Sequence, residues 1–374
     1  MSAQEISKDG PLAVYVHWPY CARICPYCDF NVYKARADAE LLPAILSDLA
    51  RQRELTGMRR VSSVHFGGGT PSLMSPADLG AVIETVDALW GLGGVEIALE
   101  ANPSFLDRAK IIGFRNAGVN RLSLGVQSFD DEGLHKLGRD HDGATARAVA
   151  EVALGEIPNT SLDLIFGWVG QGMTSWTRDV EAVLTLEPSH VSTYQLTIEP
   201  GTAFAKAVGR GEVRSVAGDR SADMYELAAE RLSAAGYAHY EVSNFAKEGA
   251  RSQHNLAYWR GWDYVGVGPG AHGRIATAKG RLATVTALRP DEYAAGKEMS
   301  VEVMDREAVI SERVLMGLRT DEGVAGHEVG GWPDLSDLAE YIEMRGERAV
   351  ATPRGRRVLD HLTREIISRM EEED

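Results

Sequence analysis

Three cysteines carry the strongest chemical signal in this chain. Cys21, Cys25 and Cys28 are spaced Cys-x₃-Cys-x₂-Cys, and the 374-residue sequence holds no fourth. With nothing elsewhere to pair with, they make a poor disulfide framework. A metal or cluster site in a reducing cytoplasm is the better reading. Three thiolates at this spacing can each hold one iron of a four-iron cubane, leaving one iron open to a ligand. An open position is what a reactive metal centre needs. Pro26 prevents a continuous helix, so the segment is expected to wrap as a loop. The competing reading is zinc, because His17 lies four residues before Cys21 and could complete a Cys₃His site.

The elements that must position this loop alternate. Candidate strands are Leu12–His17, Ser62–Phe66, Val95–Glu100, Arg121–Val126, Ser161–Phe166 and Val191–Leu196. Each is short, apolar and rich in β-branched residues, as buried parallel strands are. Between them Leu79, Val82, Ile83, Val86, Leu89 and Trp90 form one helical stripe, and Leu41, Ile45 and Leu49 another. Gly57, Gly118 and Gly155 are C-cap candidates. Six strand–helix units predict an α/β fold, a partial barrel of six β/α repeats with its ligand site at the C-terminal strand ends. The expected boundaries are a tail over 1–10, the barrel core over 11–240, a connecting region over 241–304 and a C-terminal domain over 305–374. The core closes with a helix over Asp219–Ala235 and a strand over Ala238–Val242. The last domain is expected to be mainly helical and winged-helix-like. Its helices would be Ala308–Leu318, Leu335–Arg345 and Arg357–Met370, with a hairpin wing at Arg348–Thr352 and a frayed end at Glu371–Asp374.

Composition narrows the function. At 44% hydrophobic and 25% charged residues the chain reads as globular. It has no apolar run of about 18 residues, so no transmembrane helix is expected, and no apolar signal segment opens it. A net charge of −15 argues against nucleic acid as a partner. Polar residues gather at the ends of the expected strands. Gly67-Gly68-Gly69-Thr70-Pro71 offers backbone groups without Cβ atoms. Glu100, Gln127 and Asp163 sit in three other segments of that rim, Arg139 lies in Leu-Gly-Arg-Asp-His, and Thr197 and His272 lie further along the chain. Taken singly, each reads as a structural polar residue; together they converge on one face.

The loop Tyr15-Val-His-Trp-Pro-Tyr-Cys21-Ala-Arg-Ile-Cys25-Pro-Tyr-Cys28 resembles the radical S-adenosylmethionine (SAM) superfamily. More narrowly, it is similar to the oxygen-independent coproporphyrinogen III oxidases and their relatives, the HemW-type haem chaperones, over about residues 11–370. The resemblance implies a [4Fe–4S] cluster on Cys21, Cys25 and Cys28, its fourth iron chelated by SAM. It implies that Tyr15 touches SAM, that Tyr27 packs on the adenine, and that Gly68, Gly69 and Thr70 hold the methionine amino group. Glu100, Gln127, Arg139 and Asp163 match SAM-binding positions too, in relatives with one SAM or two.

Two features separate the branches. Phe30 stands where the oxidases typically carry a further cysteine, and only Met1–Pro11 precedes the first strand. His254-Asn-Leu-Ala-Tyr258-Trp259 matches the HNxxYW signature that the resemblance associates with haem. Imidazole is a natural axial ligand, and tyrosine and tryptophan cover a macrocycle. Arg251 and Arg260 flank it and are expected to meet propionates. The expected function is a haem chaperone that binds cluster, SAM and haem and passes haem to acceptor haemoproteins. Peripheral contact with membrane-bound acceptors would follow. The alternative is a coproporphyrinogen III oxidase.

Overall fold

The computed structural model describes residues 10–211 and 218–373. Except for Gly10, the expected tail over 1–10 lies outside the described residues, as does Asp374. Strands β1 (Leu12–Trp18), β2 (Val61–Gly68), β3 (Glu96–Ala101), β4 (Arg121–Gln127), β5 (Thr160–Phe166) and β6 (His190–Gln195) are parallel neighbours in that order. Helices α1 (Leu41–Thr56), α2 (Pro76–Trp90), α3 (Arg108–Asn116), α4 (Gly143–Glu156) and α5 (Met173–Leu186) bridge successive pairs, and α6 (Gly218–Ala234) follows β6. This is the α/β partial barrel. Three of its helices start at side-chain caps: Ser75 accepts from Asp78 N, Asp107 from Lys110 N and Asp142 from Thr145 N. The stripe Leu79, Val82, Ile83, Val86 and Trp90 is buried against the strands. Gly57 caps α1 as expected, but Gly155 does not end α4: the helix runs one residue further and its cap is Ile157.

The sheet does not stop at β6. β7 (Ala238–Glu241) and β8 (Asn244–Ala246) extend it antiparallel beyond β6. After helix α7 (Gln253–Trp259), strand β9 (Asp263–Val267) returns to the opposite flank and pairs parallel with β1. β10 (His272–Thr277), β11 (Gly280–Val285) and β12 (Ser300–Val303) follow antiparallel, giving a twelve-stranded sheet. The expected connecting region over 241–304 therefore holds a seventh parallel strand. Gly261, Gly266, Gly268, Gly270 and Gly273 interrupt any strand-like alternation in it. Its first residue, Asp263, is a buried carboxylate held by Arg59 at 3.1 Å and Arg281 at 3.2 Å. A charged residue opening a core strand is what sequence patterning penalises.

A second core lies in the C-terminal segment, around Val314, Leu318, Val324, Ile342, Leu359 and Ile366. It joins α8 (Arg306–Gly317), β13 (Val324–Ala325), α9 (Gly326–Val329), β14 (Ile342–Arg345), β15 (Arg348–Ala351) and α10 (Leu359–Glu373). The helix expected over Leu335–Arg345 is corrected: only a 3-10 turn, Ser336–Leu338, precedes strand β14. Gly346, at φ +67°, makes the two-residue turn that folds β14 onto β15, so Ile342–Arg345 gains more as a hairpin arm than as a helix end.

Asp263 ties β9 to the segment before β2 and to β11, so its loss should be felt across the sheet. Asp263→Ala leaves two guanidinium groups buried without their carboxylate, and stability should fall by about 3–5 kcal/mol. Urea unfolding measures it; a change below about 1 kcal/mol would mean that water already solvates the pair.

Candidate functional site

The cysteine loop covers the C-terminal ends of the parallel strands. Its first residues pair with a short parallel partner, Tyr20–Cys21 against Tyr33–Lys34. Cys21 is buried, whereas Cys25 and Cys28 are half-buried, and all three are free thiols. Cys28 N donates to Cys25 O at 3.1 Å, so the loop turns back on itself at Pro26 and Tyr27. Thr70 Oγ1 donates to Cys21 Sγ at 3.4 Å, and Arg139 Nη1 to Cys25 Sγ at 3.4 Å. Burial pushes the Cys28 thiol up to about 11 and raises Cys21 as well, Thr70 opposing the shift at Cys21.

The zinc reading does not survive. Among the described residues no three His, Cys, Asp or Glu side chains stand close enough to hold one ion. Both ring nitrogens of His17 are engaged, Nδ1 with Tyr15 Oη at 3.1 Å and Nε2 with Asn31 O at 2.9 Å. Three separated thiols suit a multi-iron cluster, which binds each through a different metal atom.

The glycine run is demanded by the protein's own packing. Gly68 has φ +101°, and a Cβ there would stand 2.5 Å from the His17 ring. A Cβ on Gly69 would lie 2.8 Å from Tyr20 O. Gly69 N and Thr70 N donate to Trp18 O and Tyr20 O at 2.7 and 2.9 Å, so the run is sewn to the start of the cysteine loop.

The remaining rim residues fall into two groups. Glu100 accepts from His65 Nε2 at 3.0 Å and from Gly68 N at 3.3 Å, and its side chain is 40% exposed at the mouth. Gln127 is strained, with φ +66°, and its buried Oε1 has no hydrogen-bond partner. Arg139 binds Gly125 O at 3.1 Å, and its buried Nε is also unpartnered. Two orphan atoms, one acceptor and one donor, at the end of β4 and beside Cys25 fit a polar ligand. Tyr27 packs with Leu137, Ile165 and Trp168, and its burial raises its phenol pKa. Asp163 accepts Ser123 and Ser161 hydroxyls at 2.6 and 2.8 Å, while burial raises its carboxyl. Thr197 is exposed in the segment after β6, and His272 is exposed at the start of β10.

His254 and its neighbours sit elsewhere. On α7 the imidazole is 1% exposed, with Nδ1 on Ser63 Oγ at 3.0 Å and Nε2 on Tyr258 Oη at 2.7 Å. It stacks on His65 at 4.5 Å, and Tyr15 stacks on both. The structure corrects the axial-ligand expectation: both nitrogens are already spent, so His254 fixes this interior ring stack. Trp259 packs toward Tyr240, and Tyr258 edges onto Tyr264. Arg251 and Arg260 are corrected too. They clamp Asp321 and Glu322 with paired hydrogen bonds of 2.6–2.9 Å. Sequence reasoning missed His65 and Asn31. The available signal for the first was a histidine inside an apolar strand. Asn31, bonded to Pro269 O and Leu288 O at 2.9 and 2.8 Å, gave none.

With this geometry in view, comparison with known proteins places the chain. A family model of the Radical SAM superfamily matches residues 15–183. The chain is 37% identical to Radical S-adenosyl methionine domain-containing protein 1, mitochondrial, of Bos taurus, over 96% of this chain and 88% of that one. It is 38% identical to Heme chaperone HemW of Escherichia coli, over 80% of this chain and 81% of the relative. The solved structure of coproporphyrinogen III oxidase (HemN) from Escherichia coli, a radical SAM enzyme, superposes with a TM-score of 0.78 over 97% of this chain and 91% of that one. At 19% identity that likeness shows the fold. The chain belongs to the radical SAM superfamily and, within it, to the family that includes Heme chaperone HemW. The cofactors of the superfamily are a [4Fe–4S] cluster and S-adenosylmethionine. No helix among the described residues is long and apolar enough to cross a membrane.

Burial also fixes a pH response. His190 and His254 are both held well below the ordinary 6.5, chiefly by desolvation. The unfolded chain takes a proton at each that the folded chain refuses. Stability is therefore full above about pH 6.5 and falls below it, by about 1.4 kcal/mol per pH unit for each ring. Urea unfolding of iron-free protein from pH 7.5 to 5.5 measures the slope. His254→Gln should flatten it by about half a proton averaged over that range and by nearly one at its acid end; an unchanged slope would mean that His254 protonates in the fold.

Proposed function

We propose that this protein is a haem chaperone of the radical SAM class. It holds a [4Fe–4S] cluster on Cys21, Cys25 and Cys28, binds SAM beside it, takes up haem and passes it to acceptor haemoproteins. The observation that carries the reading is the mouth itself. Three free thiols stand on one loop, and an orphan donor belongs to the arginine that bonds Cys25, in a chain similar to a heme chaperone over most of its length.

When bound, the cluster and SAM supply one-electron chemistry at a sulfonium centre. The chain's own residues prepare that site. Thr70 and Arg139 donate to cysteine sulfurs, and donors to sulfur set the potential of a cluster. Arg139 Nε and Gln127 Oε1 offer one donor and one acceptor to the carboxylate and the ammonium or hydroxyl groups of SAM. Gly68, Gly69 and Glu100 line the methionine end, and Tyr27 and Tyr15 flank the nucleoside. Asp163, already satisfied by serines, orders the floor. Haem binding draws on the α7 segment with Tyr258 and Trp259, whereas His272, near enough to His17 to influence its charge, belongs to the mouth. The cytoplasm is the proposed setting, supported by the unpaired cysteines; membrane-bound acceptors would be reached peripherally.

The oxidase reading has less support. Phe30, at the oxidases' extra-cysteine position, is 62% exposed beside the loop and offers no ligand.

Each of Cys21→Ala, Cys25→Ala and Cys28→Ala should lose the iron and the visible absorption of anaerobically reconstituted protein. A full four-iron complement in a triple variant would refute the cluster assignment. Protein with cluster and haem should hand haem to an apo-haemoprotein, and with dithionite and SAM should give no multiple turnover of coproporphyrinogen III. Sustained formation of protoporphyrinogen IX would transfer the assignment to the oxidases.

A further inference from the structure

A second cavity opens away from the cysteine loop. It lies between the β10–β11 hairpin and the C-terminal segment, and its volume is about 2,350 Å³. A pocket for a small molecule needs roughly 300–1,000 Å³, so this one admits a macrocycle and still leaves an open side. Tyr258, the tyrosine of the HNxxYW segment, forms part of its wall, and that residue's hydroxyl bonds the buried His254.

One histidine lines this cavity. His327, on α9, is about half exposed, and its Nδ1 meets Glu347 Oε1 at 2.9 Å. Glu347 stands in the β14–β15 turn, and its carbonyl also receives Gly326 N at 2.9 Å. His327 and the residue before it are thereby both fixed to Glu347. Its Nε2 has no partner among the described residues. An imidazole whose Nδ1–H is given to a carboxylate, with Nε2 open, is the arrangement that orients histidine on iron. By contrast both nitrogens of His254 are spent in the interior.

The walls combine apolar surface with arginines that are already paired to carboxylates. Met316 and Met344 expose apolar surface into the cavity, at 38% and 46%. Trp332 keeps a buried Nε1 without an acceptor. The Arg260 guanidinium lies 4.9 Å over the Trp262 ring at another wall. The lining carries five arginines and five carboxylates, in a chain whose net charge is −15. An anionic ligand is therefore repelled less here than over the average surface.

We propose that this groove is where the chaperone carries haem, with His327 Nε2 as ligand to the haem iron and Glu347 orienting the ring. The inference rests on the haem-chaperone reading and adds its site. The open side would leave one face of the macrocycle to an acceptor protein.

The test is titration of the full-length protein with ferric haem. His327→Ala should bind about tenfold more weakly or worse, with a shifted Soret band, and added imidazole should restore the wild-type band. Glu347→Gln should weaken binding about tenfold while keeping histidine ligation. Metal-free protoporphyrin IX, with no iron to ligate, should bind wild type and His327→Ala alike. Equal loss of protoporphyrin would make His327 a wall residue and overturn the ligand assignment. So would a wild-type Soret band and affinity in His327→Ala, and more plainly still if His272→Ala lost them; haem binding would then persist and the chaperone reading would stand. Failure of the wild type itself to bind haem would remove that reading and this site together.

Discussion

The mouth of the barrel depends on backbone approaching backbone without Cβ atoms between. The cysteine loop is long, polar and broken by Pro26, so it has little core of its own. It is held in place by glycines from several other segments. Gly68 and Gly69 press on His17 and Tyr20, Gly138 on Pro26, Gly268 on the His17 carbonyl and Gly270 on Asn31. Four of these have a positive φ, which an L side chain resists in addition to the clash. Any added methyl would lift the loop, and with it the thiols, by a good part of an ångström. Cluster geometry tolerates little of that.

Beneath the mouth the structure spends polar side chains on order. Tyr15, His65, His254, Tyr258 and Tyr264 stack or meet edge-on from β1, β2, α7 and β9. Glu100 closes the upper end through His65, and the cavity behind Tyr258 opens the lower end. Buried networks of this kind are costly when half satisfied and rigid when complete. Here His254 is complete, while His65 leaves Nδ1 unpaired. The HNxxYW segment thereby acts first as structure: it fixes the ring stack, and its ends hold the C-terminal segment.

Much of this was legible in the sequence, for reasons that differ by residue. The cysteine spacing is a local covalent constraint, so Cys21, Cys25 and Cys28 were readable without a fold. The six strands and their helices followed from apolar period, because buried parallel strands and amphipathic helices carry it in their own residues. β9 to β12 were not legible. β9 is held by non-local pairing with β1 and by the Asp263 ion pairs, and the other three build outward from it; neither anchor leaves a periodic trace. Arg251 and Arg260 looked like propionate ligands because their carboxylate partners lie more than sixty residues away. His254 looked like a free donor for the same reason: Ser63 is invisible from position 254. His327 gave no signal at all, since Glu347 reaches it only once the hairpin has formed.

Those distant pairs also decide how the C-terminal segment is seated. The Arg251–Asp321 and Arg260–Glu322 pairs are each about one-third exposed, so each contributes about 1 kcal/mol or less. They set orientation more than affinity. Glu241 is different. It is 1% exposed, and it accepts Arg319, Ser243 N and Asn244 Nδ2. A carboxylate so placed cannot be left unpaired without a penalty of several kcal/mol. Beside it Tyr240 O receives Asp321 N, and Val242 packs into the second core. The end of the barrel sheet is therefore the anchor of the C-terminal segment, and the exposed arginine pairs act as guides. A groove walled by both parts inherits a fixed floor from that anchor and an adjustable rim from those guides. That combination suits a cargo that must be held and then released.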